Sequence, residues 1–439
     1  MLFHNPIFLL IFLPIVFLLF YIFKKNFNNR ISILIISGLI FYAAWNIKLS
    51  PLIVITILVN YFFGKALSNS LNLTKKNKIL FFAVSFNVLF LAFFKYSDFI
   101  IANINYLFNF NISFLNFPFP LALSFVTFQT IAYLVDCSEG NISGNNLRKY
   151  SLFIIFFPQL IAGPIVRYNN MIGQFEDEKN SNINYKNIII GLIIITIGII
   201  KKTLIADNLS VIVDTNFNSE NDITFLMSWI TSLSFTFQIY FDFSGYIDMA
   251  TGIALLFNIR LPQNFNSPFQ ATNIIDFWQR WHMTLTNFLT NYIYNPLLRS
   301  FNKLTFIKSM MVTILVFLIA GLWHGPSWLF VIFGALHGIG LVFNQIVRKY
   351  FTFKINKFIS IILTFAYVNL TFIFFRADSI ETALNIISGM TGLNTVGDEA
   401  LINIPLNSLF ALIAAITICF VAKNSNYILD QFKLNIIKK

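Results

Sequence analysis

The chain is predicted to be an all-α polytopic membrane protein, and three observations lead there. Of its 439 residues 57% are apolar and 11% charged, with a mean hydropathy of +0.73, more apolar surface than a water-soluble fold can hide. Apolar runs recur at 7–23, 31–46, 51–66, 79–95, 99–108, 118–135, 150–166, 187–200, 224–241, 244–258, 311–323, 327–345, 358–375 and 405–422. The basic residues gather in clusters between these runs: Lys24/Lys25/Arg30, Lys65/Lys75/Lys76/Lys78, Arg148/Lys149, Lys201/Lys202, Arg348/Lys349/Lys354/Lys357 and Lys433/Lys438/Lys439. A helix needs about 20 apolar residues to cross the hydrocarbon, so with the short runs merging or re-entering, roughly eleven to thirteen transmembrane or re-entrant helices are expected.

The first run has no basic segment ahead of it and no small-residue cleavage site behind it, so it reads as a retained first helix. Counting the basic clusters alternately by the positive-inside pattern places the N-terminus outside, the C-terminus in the cytoplasm, and the acidic loop Glu176-Asp177-Glu178 outside. That pattern also accounts for the net charge of +12, which forms no continuous stripe and so argues against nucleic-acid binding. Two cysteines, Cys137 and Cys419, suggest neither a disulfide framework nor a thiolate metal site. There is no internal repeat and no soluble domain; 1–439 reads as one membrane domain.

Regularity fails between 258 and 310. Asn264, Asn266, Asn273, Asp276, Gln279, Arg280, His282, Thr284, Thr286, Asn287, Thr290 and Asn291 are too polar to face lipid, whereas Phe265, Phe269, Phe277, Trp278, Trp281, Phe288, Leu289, Tyr292 and Tyr294 are too apolar for a free loop. Irregular backbone at membrane depth survives only where protein buries it or water fills a cavity, so 262–298 reads as a re-entrant or interfacial segment lining a cytoplasmic funnel. Asn273 can cap a helix there, with Asp276 three residues on. Trp278 and His282, four apart, would share one helical face. The same tryptophans would equally serve an interfacial helix at headgroup level.

Three of the four histidines lie in this half, and His4 looks incidental. His337 sits inside Trp328–Phe343, an apolar stretch with no other ionisable group, where an imidazole is costly unless it is paired or lines a wet cavity. Its reading is a general base, with Gly334, Gly338 and Gly340 leaving a low-bulk face for substrate; the alternative is that the glycines simply let helices pack closely. His324, in Trp323-His-Gly-Pro326, precedes a chain break and is placed at the membrane surface. The spacing of His282, His324 and His337 fits no helical zinc motif, and no metal is expected.

Seven ordered motifs carry a resemblance: Phe157-Pro-Gln-Leu-Ile-Ala-Gly-Pro-Ile-Val-Arg167, Lys201-Lys-Thr-Leu-Ile-Ala-Asp207, Gln238-Ile-Tyr-Phe-Asp-Phe-Ser-Gly-Tyr-Ile-Asp-Met-Ala250, Pro262-Gln-Asn-Phe-Asn-Ser-Pro268, Asp276-Phe-Trp-Gln-Arg-Trp-His282, Trp323-His-Gly325 and Leu336-His-Gly338. Together they resemble the membrane-bound O-acyltransferases over about 125–376, and more narrowly the bacterial branch that O-acetylates alginate, peptidoglycan and other exported glycans. The resemblance implies helices ringed around a central funnel, with the acyl donor entering from the cytoplasm and the acceptor outside. It implies His337 as the catalytic histidine and His282 as the second. Asp276, Trp278, Arg280, Trp281 and Asn287 would shape the funnel together with Trp323 and His324, and Tyr240, Asp242, Ser244 and Asp248 would form a polar strip near the centre. The chain departs from the family at Leu289-Thr-Asn-Tyr292 and Pro296-Leu-Leu-Arg299, where an Arg-Asp pair and a Gly-Gly turn are usual, which bears on donor recognition.

The expectation is therefore a bacterial inner-membrane O-acetyltransferase that moves acetyl from acetyl-coenzyme A to an exported polysaccharide and binds no cofactor. The donor's phosphates would meet Arg280, Arg299, Lys303 and Lys308. With no esterase-like domain fused, transfer would run directly or through a separate serine-hydrolase-like (SGNH) partner. D-alanyl transfer from a carrier protein to teichoic acid is the alternative within the class. A glycan or lipid transporter is the alternative outside it, disfavoured because 238–282 has no second copy.

Overall fold

The computed structural model describes residues 2–142, 146–219, 222–351, 355–394 and 404–429, which are helical with no strand among them. Six helices are long and apolar enough to span a bilayer, Ser50–Asn69, Leu73–Phe108, Tyr185–Phe217, Phe306–His324, Trp328–Tyr350 and Lys357–Arg376, and three shorter ones, Phe8–Ile22, Phe27–Ala43 and Leu406–Phe420, are equally apolar. Several separate apolar runs of the sequence merge. The runs at 79–95 and 99–108 become one helix of 36 residues, and those at 224–241 and 244–258 become the helix Phe225–Leu256. The polar residues that seemed to break them find partners instead. Asp98 accepts from the amides of Leu115 and Asn116 at 2.8 and 3.1 Å, and Asp242 pairs with Lys202 at 2.7 Å.

The contacts divide the chain into two compact units, Met1–Ile195 with Met249–Pro262, and Thr196–Asp248 with Gln263–Lys439. In the first, α1 (Leu13–Ile22), α2 (Phe27–Ala43), α3 (Ser50–Asn69), α4 (Leu73–Phe108), α5 (Leu123–Ser138) and α6 (Leu147–Ile155) pack both on sequence neighbours, as α4 does on α5, and on more distant helices, α3 on α5 and α2 on α6. Asparagine starts three of them: Asn26, Asn72 and Asn146 each accept from the amide three residues on, leaving one fewer orphan donor at the helix end. Asn60 on α3 and Asn87 on α4 exchange two amide hydrogen bonds, 2.6 and 3.1 Å, in the buried contact between them. In hydrocarbon such a pair acts as glue.

The long helices α7 (Tyr185–Phe217, with a π-helical stretch at Lys201–Ala206) and α8 (Phe225–Leu256) contribute residues to both units. The second unit adds α9 (Ile274–Arg280), α10 (Met283–Leu289), α11 (Phe306–His324), α12 (Trp328–Tyr350), α13 (Lys357–Arg376), α14 (Ile380–Thr391) and α15 (Leu406–Phe420). As the mixed polarity of 262–298 predicts, that segment is broken helix: α9, α10, a π turn at Thr290–Tyr294 and one turn at Asn295–Arg299. Asn273 caps α9 by accepting from the Asp276 amide at 3.0 Å.

The expected shared face of Trp278 and His282 is corrected. α9 ends at Arg280, Trp281 is extended, and His282 takes the left-handed conformation at φ 43°. The turn sends the two side chains to different neighbours, and a non-glycine residue holds such a conformation only where its surroundings enforce it.

The glycines of α12 are also settled. A Cβ on Gly334 would collide with the carbonyl oxygen of Phe317 and crowd Gly321, one on Gly338 would come 3.2 Å from the Ile314 Cα, and one on Gly340 would strike the Tyr367 ring at 2.8 Å. They let α11 and α13 close on α12 and open no path to His337, which corrects the expected low-bulk substrate face. Gly334→Leu should part α11 from α12 at a cost of about 1–3 kcal/mol. A lowered thermal unfolding midpoint in detergent is the expected reading, and an unchanged midpoint would show that the contact does not matter.

Candidate active site

His337 is wholly buried on α12, and both of its ring nitrogens are engaged. The Trp278 indole N–H donates to Nδ1 at 3.2 Å, and Nε2 lies 3.0 Å from the Thr371 hydroxyl. That hydroxyl already donates its one proton to the Val368 carbonyl at 2.7 Å, so Nε2 must be the donor to Oγ1. The neutral tautomer follows: Nε2 protonated, with the Nδ1 lone pair filled by the indole. Rings close the remaining sides, Phe333 at 4.6 Å, Trp278 at 5.1 Å and Phe277 stacked at 6.2 Å. A base needs an unoccupied lone pair that a substrate proton can reach, and this imidazole offers none.

His282 has the opposite tautomer. Asn264 Oδ1 accepts from the Thr284 amide at 3.1 Å and the Thr284 hydroxyl at 2.9 Å, and it lies 3.2 Å from His282 Nδ1. A backbone N–H can only donate, so the contacting atom of Asn264 is its oxygen, Nδ1 carries the proton, and the basic lone pair of the neutral ring is on Nε2. His282 is 2% exposed, with Phe243 edge-on at 4.9 Å and Trp323 at 6.3 Å.

His324 ends α11 and is half-buried, its ring packed by Trp323 at 4.9 Å, Phe375 at 5.1 Å and Phe333 at 5.9 Å. Gly325 follows it in extended backbone, and a Cβ there would run into the Phe330 ring. The structure thus joins His282, Trp323 and His324 in one cluster, while His337 sits with Trp278 and the aromatic core behind it.

The other anticipated residues divide. Arg280 binds Asp276 across one helical turn at 2.6 Å, and Asp276 also accepts from the Thr272 amide at 3.0 Å. Arg280 lines a cavity of about 560 Å³ with Lys357, Gln270, Thr272 and Phe365. Trp281 stacks on Phe277 at 5.6 Å and meets Tyr240 at 6.2 Å. Asp242 and Asp248 face lysines rather than the histidines: Lys202 bridges Asp242 and Asp207, and buried Asp248 holds Lys201 at 2.7 Å and the Ser425 hydroxyl at 2.8 Å. Ser244 is buried on the same helix. Asn287 is exposed and away from the cluster, its carbonyl accepting from Asn291. Of the cations expected at the donor mouth, Arg299 is exposed and Lys308 turns back onto the Lys303 carbonyl and the Phe301 ring. Sequence reading missed Asn264 and Thr371 as partners of the histidines and Lys357 as the companion of Arg280. Asn264 had a signal, its place in the Pro262–Pro268 motif; Thr371 had none, lying on another helix.

The sequence profile of the membrane-bound O-acyltransferase family matches residues 137–381. Among curated proteins the chain is 42% identical to the peptidoglycan O-acetyltransferase of Helicobacter pylori, over 90% of this chain and 81% of that protein. It is 32% identical to the probable alginate O-acetylase AlgI of Azotobacter vinelandii, over 89% and 78%. Identity to the teichoic acid D-alanyltransferase of Bacillus subtilis is 28%, over 58% and 68%.

If His337 holds the core together, His337→Ala leaves a hole and orphans the Trp278 indole and the Thr371 contact, costing on the order of 2–4 kcal/mol. A falling thermal midpoint, with Trp278→Phe falling in parallel, is the expected result; full stability of both variants would contradict it.

Proposed function

This chain belongs to the membrane-bound O-acyltransferase family and is an O-acyltransferase, and we propose that it transfers acetyl from cytoplasmic acetyl-coenzyme A to a hydroxyl of an exported polysaccharide, with His324 as general base. The observation that carries the assignment is the contrast in burial between the histidines: His337 is wholly buried with both ring nitrogens hydrogen-bonded, whereas His324 is only partly buried at the end of α11, in the cluster with His282 and Trp323. His337 then positions Trp278 and, through it, α9.

The acceptor hydroxyl loses its proton to His324 as its oxygen attacks the thioester carbonyl. When the C–S bond breaks, the thiolate takes that proton back, giving ester and thiol. Arg280 and Lys357 form the donor's phosphate contacts, since they share one cavity whose other walls include apolar Phe358, Ile361, Ile362 and Phe365, suited to the pantetheine arm. Lys357 begins α13 next to the basic cluster Arg348/Lys349, so the positive-inside pattern puts this mouth on the cytoplasmic side. His324 ends α11 opposite Lys308, and the positive-inside pattern supports an acceptor-side position for it. The acetylating relatives favour acetyl over D-alanyl, as they match far more of the chain. Delivery to the polysaccharide directly or through a serine-hydrolase-like partner leaves this chemistry unchanged.

With radiolabelled acetyl-coenzyme A, purified protein in vesicles should transfer label to acceptor or water. His324→Ala should lower that rate by roughly two to four powers of ten while remaining folded. Wild-type rates in the variant would remove His324 from the chemistry, and transfer from an aminoacyl-loaded carrier protein but not from acetyl-coenzyme A would replace acetyl with D-alanyl. Arg280→Gln and Lys357→Gln should raise KM for acetyl-coenzyme A more than they lower kcat, as lost ground-state binding does; an unchanged KM in both would move the donor mouth elsewhere.

A further inference from the structure

The Asn264 side chain has a donor with nothing to donate to. It is 1% exposed, its oxygen takes three hydrogen bonds, and its Nδ2 has no partner. A buried amide N–H left unmade costs about 1–3 kcal/mol, so a fold that keeps one beside a catalytic cluster has a use for it. The amide cannot be turned over to relieve the cost, because the Thr284 N–H and the protonated His282 Nδ1 would then face a second donor. His282, which it holds, is itself in the left-handed conformation, and Asn264 is tied to the start of α10 by the Met283 amide bonding its carbonyl at 2.9 Å. The amide is therefore fixed in place before any substrate arrives.

We propose that Asn264 is a catalytic residue whose two ends do different work: Oδ1 holds His282 in the tautomer protonated at Nδ1, and Nδ2–H donates to the carbonyl oxygen of the acyl donor as that oxygen becomes negative. The inference rests on the acyl-transfer reading of this site. When the acceptor oxygen bonds to the carbonyl carbon, the C=O π electrons move onto oxygen, and the waiting Nδ2–H stabilises that oxyanion. When the C–S bond breaks, the C=O bond re-forms and the hydrogen bond weakens. A preorganised donor of this kind needs no reorganisation at the moment of reaction, which is where its advantage over water lies.

Asn264→Asp separates the two ends, because it keeps an oxygen for Thr284 and His282 and deletes the donor. In the full-length protein, kcat should fall ~100- to 1,000-fold with KM nearly unchanged. The acid limb of the pH–rate profile should shift upward, because a carboxylate on Nδ1–H favours the charged imidazole. Asn264→Ala loses both ends and serves as the folding control, read by thermal midpoint. The comparison is run with whichever donor the wild type accepts, acetyl-coenzyme A or aminoacyl carrier protein, so failure of the acetyl reading leaves it intact. The chain has four histidines, so ¹⁵N-histidine spectra, assigned with His282→Gln, read the tautomer without any turnover. Near-wild-type kcat in Asn264→Asp, or a His282 ring protonated at Nε2 rather than Nδ1, would overturn the proposal.

Discussion

The second unit depends on keeping a polar, broken stretch of backbone satisfied among apolar helices. Hydrocarbon offers no water to an orphaned N–H or C=O, so each bend in 262–299 must be answered by protein. The Trp278–His337–Thr371 chain is the chief answer. It ties α9 to α12 and α13 through two side-chain hydrogen bonds in an aromatic shell, and Thr286 returns to the Trp278 carbonyl at 3.1 Å to fasten α10 to the same point. Without it, Arg280, His282 and the cavity that Arg280 lines would have no fixed frame.

His282, which lies in the tryptophan-rich segment, and His337, which reaches Trp278 from 59 residues along the chain, thus end in different tautomers. What separates them is the hydrogen-bonding inventory around each ring: His337 meets one donor and one already-donating hydroxyl, while His282 meets an amide oxygen. Burial alone does not distinguish them, since both are sealed from solvent. An intramembrane histidine is a sound pointer to a functional region, but the identity of the base depends on which lone pair is left over.

The carboxylates of α8 illustrate the same point with charge. Asp242 and Asp248 read in sequence as polar residues near a catalytic centre, and in the fold they neutralise Lys202 and Lys201 of α7. Close helix contact supports these pairs, since a Cβ on Gly245 would meet the carbonyl of Gly198 at 2.8 Å. The Lys201–Asp248 pair is buried and so is costly to break from one side only, which guards the α7–α8 register by charge as well as by packing.

From sequence alone came the helical membrane class, the broken polar segment with its Asn273 cap, and the family, because composition, period and motif order are local properties of the chain. The glycine face of α12 was legible only as two alternatives, and the fold chose packing because Phe317 and Tyr367 occupy the space. The role of each histidine was not legible. It turns on Thr371, Asn264 and the turn at Trp281–His282, contacts between residues remote in sequence, and a ring's protonation is set by the atoms it touches. Arg280 could be read as a donor contact, but its pairing with Lys357 needed α13 to fold back beside α9, which no local pattern encodes.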